Sequence, residues 1–347
     1  MKRHVFNRNS IRALIVISFI LFIPNSLFAL GILENLEDNV EIRNYPNPMT
    51  GLTYDLYNTT QGSDTIMVQR ELSYSSSSHH SPPSHDFLKK DLSLTFSSGN
   101  SGSVNNRYLV KTGGTDKLYY NIYDNFTDYH ILKDHAHYSG PDDVLVYNFK
   151  KIRVKNGKSK TQEKTQSFYI EILDGQYVPS GSYSDTIKID IYDEAGILAL
   201  LEAPIDSKTM TITVEVSDTL GLCIVDVGGA YDPDSTTPYA MDFGTLEEGK
   251  SISAQAVALA NTRYTISVSS TNGGKMKHES VDEYVPYTLF FNGDPITIGT
   301  TATQLIVNAP PSSISGTAHD LTVTIGTLAW LPSGDYADNL IFEITSN

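Results

Sequence analysis

Apolar and polar residues alternate along most of the chain after position 29, and a period of two is typical of a β-strand with one buried face. The segment from Thr209 to Val216 alternates without interruption, with Met210, Ile212 and Val214 on one face. Polar residues occupy the positions between them. We therefore predict a half-buried strand here.

Two further segments show the same alternation. The first, Asp185 to Ile191, places three isoleucines on one face, and the second, Asn339 to Thr345, places Leu340, Phe342 and Ile344 on one face. Glycine, proline, asparagine and serine separate such segments at short intervals, which is typical of a β-sandwich. The pattern predicts an all-β protein.

The first 29 residues have a different character. Basic side chains at positions 2, 3, 8 and 12 precede an apolar run from Ala13 to Ile23, and Ser26 to Ala29 offers a cleavage site. This is the order of a secretory signal peptide, and the run is shorter than the ~20 residues of a transmembrane helix. We predict export through the periplasm, with residues 1–29 removed near Ala29.

The net charge of the chain narrows the classes of molecule that the protein is expected to bind. The formal net charge is −15, and it becomes −19 after cleavage because the leader carries four basic and no acidic residues. Such an acidic protein is a poor ligand for nucleic acid. Cys223 is the only cysteine, so an intramolecular disulfide is excluded.

The chain repeats part of its own sequence. The segment Tyr177 to Ile187 recurs as Trp330 to Leu340, with Pro, Ser, Gly, Tyr and Asp matching at a constant offset of 153 residues. Leu118 to Tyr123 corresponds loosely to Val285 to Phe290. We therefore expect two related domains, at 30–203 and 209–347, joined by a linker at 204–208.

The repeated motif, Pro-Ser-Gly-x-Tyr-x-Asp before an alternating strand, resembles the end of spore coat protein U domains. Cys223 and the segment Asp242 to Leu246 resemble that family's Cys and Asp-Phe-Gly segment, and Asn106-Arg107 before Leu118 to Tyr123 resembles its Arg and aromatic strand. The resemblance covers Leu222 to the C-terminus and roughly Asp91 to Asp193. The family's second Cys, expected near 258–261, is absent.

The resemblance implies an immunoglobulin-like pilin fold and a place in an archaic chaperone–usher pilus. In such pilins the next subunit supplies a missing strand. The last predicted strand is followed here by two residues only, whereas Gly196 to Leu201 follows its counterpart in the first domain and is expected to close that domain. A complete first domain joined to an incomplete second domain implies a tip subunit.

The incomplete second domain should contain an open apolar groove. Its expected border strands are Met210 to Val216 and Asn339 to Thr345. The side chains expected to line this donor-strand groove are Ile212, Val214, Leu340, Phe342 and Ile344. The expected partners are a periplasmic chaperone, an outer-membrane usher, an adjacent pilin subunit, and a host or abiotic surface.

Exposed aromatic residues are candidates for surface or receptor contact. Phe126, Tyr129 and Tyr138 lie among Asp, Asn, His and Gly in loop-like sequence of the first domain. Most other tyrosines are expected in the core or in cross-strand pairs. These three are predicted to touch a surface or a sugar.

Metal and catalytic sites are weakly indicated. His130, Asp134, His135 and His137 are of the types that ligate zinc, but no second cluster with metal spacing accompanies them, so solvated loop histidines are favoured. The same interpretation applies to His79, His80 and His85. We expect no cofactor, no metal and no enzymatic activity.

Three functions remain open at this point. The first is a secreted adhesin at the pilus tip that mediates attachment and biofilm formation. The second is a structural surface or spore-coat-like protein without receptor binding, and the third is a secreted metal-dependent enzyme.

Overall fold

The computed structural model describes residues 34–77, 81–193, 197, 203–234 and 237–347. Nearly all regular structure in these ranges is β, as the alternation predicts. Three short 3-10 helices, Gly99–Ser101, His135–His137 and Pro141–Asp143, lie between strands of the first domain. The predicted signal peptide lies outside the described residues. No helix in the described ranges is long and apolar enough to cross a membrane.

Twelve strands build the first domain. They are β1 (Glu34–Asn44), β2 (Met49–Tyr54), β3 (Thr60–Ser76), β4 (Ser84–Phe87), β5 (Lys90–Phe96), β6 (Arg107–Lys111), β7 (Lys117–Tyr123), β8 (Leu145–Phe149), β9 (Ile152–Lys155), β10 (Lys158–Ile172), β11 (Gly181–Asp193) and β12 (Asp206–Val216).

Ten strands build the second domain. They are β13 (Leu220–Val225), β14 (Ser251–Ala260), β15 (Tyr264–Ser270), β16 (Lys275–His278), β17 (Tyr284–Phe291), β18 (Asp294–Ile296), β19 (Thr303–Ala309), β20 (Thr317–Ile325), β21 (Tyr336–Ala337) and β22 (Leu340–Ser346).

The first domain is a sandwich around one core. Its strands follow the order β1-β3-β10-β7-β6-β11-β12-β2, with β5 paired to β11 and β8 paired to β5, and β4 and β9 form a separate pair. The inward residues of both layers form one cluster that includes Ile66, Phe96, Phe168 and Ile189. Alternate residues of each strand therefore meet in a shared apolar interior.

Strand β12 belongs to this first domain, which corrects two predictions from the sequence. It pairs antiparallel with β11 from Asp206 to Val216, and its inward residues lie in the first core. The linker placed at 204–208 is therefore wrong, and the connection between domains falls at 217–219, between β12 and β13. The alternation identified the strand but could not assign it to a core.

The predicted closing segment of the first domain, Gly196 to Leu201, lies outside the described residues except for Ile197. That side chain is buried against Val144 and Tyr192. The strand that completes the sheet beside β11 is β12.

The second domain has two sheets. The larger follows the order β13-β14-β20-β17-β16-β21 with β18 beside β17, and the smaller follows β19-β15-β22. Their core includes Ala256, Val268, Val285, Leu289 and Val323. Both domains are thus immunoglobulin-like β-sandwiches, as predicted, and the order β3-β10-β7 in one corresponds to β14-β20-β17 in the other.

Equivalent hydrogen bonds confirm the internal repeat. The Tyr183 hydroxyl donates to the Pro179 carbonyl at 2.7 Å, and 153 residues later the Tyr336 hydroxyl donates to the Pro332 carbonyl at 2.9 Å. Each tyrosine hydroxyl thus binds the carbonyl four residues earlier and stabilises the same turn.

The last residue of the motif also has the same partner in both domains. Asp185 accepts a 2.7 Å hydrogen bond from the Tyr120 hydroxyl, and Asp338 accepts a 2.6 Å bond from the Tyr287 hydroxyl. Tyr120 and Tyr287 lie on the two strands, β7 and β17, that the sequence paired only loosely. The motif therefore ties the turn to the opposite layer in each copy.

Asn261, at the end of β14, organises the junction between the domains. Its amide donates to the Ser217 carbonyl at 2.9 Å and to the Val178 carbonyl at 3.2 Å, and its side-chain oxygen accepts from the Thr219 N–H at 2.7 Å. Its own carbonyl accepts from the Ser180 N–H at 3.1 Å. One buried side chain thus binds the repeated turn of the first domain and the connection between domains.

Candidate functional site: an open lane in the second domain

Two strand edges of the second domain face an unfilled lane, by which we mean a gap beside a sheet edge that one further strand could occupy. Strand β13 pairs only with β14, and β22 pairs only with β15, among the strands that the structure describes. An unpaired edge leaves backbone donors and acceptors available to another chain. The two edges lie near one another, with Leu222 of β13 and Phe342 of β22 against the same apolar cluster.

A cavity of about 630 Å³ lies beside these two edges, with both apolar and polar residues in its walls. Its walls include Leu222 and Ile224 from β13, Leu289 from β17, and Leu340 and Phe342 from β22. The segment from Thr237 to Phe243, which follows β13, lines the cavity as well. The apolar part of these walls, between two free backbone edges, suits an extended peptide with alternating apolar side chains.

A polar group lies at one end of the cavity. Asp338 accepts hydrogen bonds from the Ser270 and Tyr287 hydroxyls, at 2.5 and 2.6 Å, and from the Asn272 N–H at 3.0 Å. Burial, and then the hydrogen bond to Asp338, raise the pKa of Tyr287, so its phenol stays protonated. The group anchors the turn before β22.

The first domain shows how such a lane is filled. Strand β12 lies between β11 and β2, antiparallel to the first and parallel to the second. Its inward side chains Met210, Ile212 and Val214 are fully buried. Because β11 is the repeat counterpart of β22, β12 occupies the lane that is open in the second domain.

Equivalent positions of the two copies differ in burial. The inward residues of β11, Ile187, Ile189 and Ile191, are 0% exposed. Their counterparts 153 residues later, Leu340, Phe342 and Ile344, remain partly exposed. The difference follows from the presence of β12 beside one strand and the absence of a described neighbour beside the other.

The groove residues predicted from sequence therefore separate into two sets. Leu340, Phe342 and Ile344 lie on one face of β22, and the first two line the cavity. The assignment of Ile212 and Val214 to the groove is wrong, because both are core residues of β12 in the first domain. They belong to β12, which fills the lane beside β11 in the first domain.

Sequence reasoning missed the true second border of the groove. Strand β13 contributes Leu222, Ile224 and the buried Cys223. The run from Leu220 to Val225 has no clean alternation, because apolar residues occupy nearly every position. The resemblance at Cys223 was the one signal that marked this segment.

The candidate surface aromatics do not form one patch. Phe126 packs against Tyr169, with ring centroids 4.8 Å apart, and against Tyr129 at 5.8 Å. Tyr129 is exposed, whereas Tyr138 is half-buried against the cluster of Val144, Tyr192 and Ile197. Phe126 and Tyr129 are thus brought together, and Tyr138 lies in a separate apolar cluster.

The histidine-rich loop is held by local hydrogen bonds. His137 Nδ1 lies 2.6 Å from Asp134 Oδ1, and His130 Nδ1 lies 3.2 Å from Asp124 Oδ2. The ring of His135 packs against Tyr192. Within the described ranges no group of three or more His, Cys, Asp or Glu side chains is arranged to hold a metal ion. Of the other histidines, His85 packs between Tyr74 and Phe87, and His79 and His80 lie outside the described residues.

Comparison with known proteins gives a family match within the first domain. Residues 87–190, from β4 to β11, match the family model of the Spore Coat Protein U domain. This range includes the Arg107 and Asp185 motifs and agrees with the resemblance seen from Asp91 to Asp193. It covers less than a third of the chain. No curated protein matches this chain.

Several solved structures are similar to this chain over most of its length. One is the CsuC-CsuE chaperone-tip adhesion subunit pre-assembly complex from archaic chaperone-usher Csu pili of Acinetobacter baumannii, with 13% identity over 76% of this chain and 92% of that chain and a TM-score of 0.37. Another is the CupB6 tip adhesin from Pseudomonas aeruginosa, with 13% identity over 90% and 94% and a TM-score of 0.29. A third is the CFA/I adhesin CfaE of enterotoxigenic E. coli, with 10% identity over 88% and 94% and a TM-score of 0.35.

Proposed function

We propose that this chain, which carries a Spore Coat Protein U domain, is an exported adhesin at the tip of an archaic chaperone–usher pilus. Its second domain is completed by a strand from the adjacent pilin subunit. The observation that carries this proposal is the contrast between two copies of one fold, one with its lane filled by β12 and one with its lane open.

The geometry of β12 specifies the donor strand. It should run antiparallel to β22, as β12 does beside β11. Its inward positions should be apolar and its outward positions polar. Each fully buried apolar side chain contributes about 1.5–3 kcal/mol, so three or four of them stabilise the joined state strongly.

The empty lane explains the need for other partners. An exposed apolar groove with two free edges promotes aggregation, so a periplasmic chaperone should cover it before an outer-membrane usher adds the next subunit. The predicted signal peptide at 1–29 delivers the chain to that route. No catalytic role is part of this proposal.

The first domain would then be the adhesive part. Strand β12 of the same chain completes its fold, which frees its loops for contact with a host or abiotic surface during attachment and biofilm formation. Tyr129, exposed beside Phe126, is the side chain proposed to touch that surface. A structural coat protein without receptor binding would share the groove but not this contact.

The groove is tested by supplying a donor strand within one chain. Asn347 is the counterpart of position 194, which lies 153 residues earlier. A copy of residues 195–219 appended after Asn347 therefore places a second β12 at the same distance along the chain from β22 as β12 has from β11. We expect this fusion to raise the unfolding temperature of the second domain, measured by calorimetry.

A pair of matched variants gives the test its specificity. Phe342→Asp should abolish the gain, since a charge would be buried unpaired, whereas Ile341→Asp on the outward face of the same strand should keep it. An unchanged unfolding temperature in the fusion, or a gain that survives Phe342→Asp, would contradict strand addition at this lane.

A further inference from the structure

The junction between the two domains serves as a template for the contact between this chain and the next subunit. The connection at 217–219 links β12, which fills the lane of the first domain, directly to β13 of the second. The second domain thus follows its predecessor's filling strand, as a neighbouring subunit would follow a donated strand. This argument rests on the proposed function.

The repeated turn of the first domain contacts the second domain at this junction. The Tyr177 hydroxyl lies 3.0 Å from Ser312 Oγ, in the segment before β20. The Val178 carbonyl accepts from the Asn261 amide, and the Ser180 N–H donates to the Asn261 carbonyl. Three of the four residues from Tyr177 to Ser180 therefore bind the domain that follows.

The same turn in the second domain is exposed at Trp330, Pro332 and Ser333, whereas Leu331 packs against the core of that domain. Trp330, the counterpart of Tyr177, is 103% exposed and is the only tryptophan of the chain. Its φ of 47° lies in the left-handed region, which bulky residues rarely adopt. Leu331, Pro332 and Ser333 follow as counterparts of Val178, Pro179 and Ser180.

A fully exposed indole is unusual, because tryptophan is a large apolar side chain that is enriched at the centres of protein interfaces. Within the first domain the equivalent aromatic residue is half-buried against its neighbour. The second domain follows Tyr177 and contacts it, whereas none of the described residues covers Trp330.

We propose that the turn from Trp330 to Ser333 is a docking surface for the body of the next subunit. The occupant is a β-sandwich domain that directly follows the donated strand. It would present the chemistry of this chain's own junction, an asparagine amide and a serine hydroxyl in the places of Asn261 and Ser312. The indole N–H donates only, and a serine hydroxyl can accept from it as well as donate.

This contact has a function distinct from the donated strand. The strand joins two subunits through a short connection, and the turn fixes the angle between them. Hydrogen bonds and a buried aromatic side chain on a second surface convert a flexible joint into a rigid one, as Asn261 and Tyr177 do within this chain.

The single tryptophan provides a direct measurement. One fusion carries only a copy of residues 195–219 after Asn347, which supplies the strand. A second carries a copy of residues 195–347 followed by 195–219, which supplies the strand and a following domain, with Trp330→Phe in the copy so that one tryptophan remains.

We expect Trp330 fluorescence to shift to shorter wavelength, and acrylamide quenching to fall, in the second fusion but not in the first. Equal emission and quenching in the two fusions would overturn the docking surface. A first fusion that fails to stabilise the second domain would instead contradict the proposed function, so the two failures are distinguishable.

A second measurement does not depend on the fusions folding. In fibres isolated from cells, Trp330 should be protected from an indole-oxidising reagent relative to free chain, as read by mass spectrometry. Trp330→Ala should lower the bending stiffness of the junction at the fibre end, whereas Val307→Ala, an exposed apolar residue on β19 of the same domain, should not. Equal oxidation in fibres and in free chain would overturn the proposal.

Discussion

The side chain of Asp185 shows how much of this fold depends on single residues. It is buried, which raises its pKa, and hydrogen bonds from the Tyr120 hydroxyl and the Asn100 N–H oppose that shift. Asp338 has the same tyrosine partner in the second domain. The motif is therefore retained in both copies because a buried carboxyl group needs its donors.

Arg107 has no such counterpart in the second domain. Its buried guanidinium donates to four backbone carbonyls, of Phe96, Ser97, Val104 and Leu132, and to the Asn121 side chain at 2.7 Å. All five donors are thus used without a carboxylate partner. This network fixes the loop after β5 in the domain that matches the family model.

The aromatic loop yields a prediction at the residue scale. Tyr129→Ala should reduce attachment of cells to surfaces and lower the free energy of unfolding by about 0.5–1.5 kcal/mol, because the exposed ring also packs against Tyr123 and Phe126. Attachment is counted on abiotic and host-cell surfaces, and unfolding is followed in urea. Tyr119→Ala, an exposed tyrosine on β7, is the matched control.

Phe126 and Tyr138 are less suitable than Tyr129 for this test because both rings pack against other apolar residues. Phe126 contacts Tyr169, and Tyr138 packs in an apolar cluster, so alanine at either position should also lower stability. Attachment that is unchanged in Tyr129→Ala and in its control would remove the tyrosine from the adhesive surface.

At the scale of elements, β12 decides where the first domain ends. A fragment of residues 30–203 lacks this strand and exposes the inward face of β11, whereas a fragment of residues 30–219 retains it. Met210, Ile212 and Val214 each contribute about 1.5–3 kcal/mol when buried, which is a large share of the 5–15 kcal/mol that stabilises a domain.

We therefore expect cooperative unfolding for the fragment 30–219 and aggregation or no transition for 30–203, measured by calorimetry. A synthetic peptide of residues 206–216 added to the shorter fragment should restore the transition, and the same peptide with Ile212→Asp should not. A stable, cooperative fragment 30–203 without peptide would show that β12 is dispensable.

At the scale of the whole molecule, a set of hydrogen bonds centred on Asn261 joins the two sandwiches. Asn261 supplies three side-chain hydrogen bonds there, and Tyr177 supplies one more. Each is buried or partly buried, so losing a partner leaves an unsatisfied group. We therefore expect Asn261 to contribute to the rigidity of the junction.

Asn261→Ala should loosen the junction without unfolding either domain. We expect a wider distribution of inter-domain distances in small-angle scattering and faster proteolysis at 217–219, with Thr262→Ala as the control. The cost in stability should be about 1–3 kcal/mol, the range for leaving buried polar groups unpaired. A variant as rigid and protease-resistant as wild type would assign the junction to other contacts.

The sequence by itself determined the local structure. Alternation identified β11, β12 and β22 because a strand with one buried face imposes a period of two wherever it lies. The offset of 153 residues identified the repeat, because both copies need the same proline, glycine, tyrosine and aspartate to form one turn.

Only the tertiary structure decided which core each strand joins. Ile212 and Val214 were expected to border the open groove, yet they fill the equivalent lane of the other domain, because strand pairing depends on backbone neighbours that are distant in sequence. The opposite border, β13, and the exposed turn at Trp330 became visible only when the two copies could be compared side by side. The period of two along the sequence shows which face of a strand is buried. The strand or core that buries this face is set only by the folded chain.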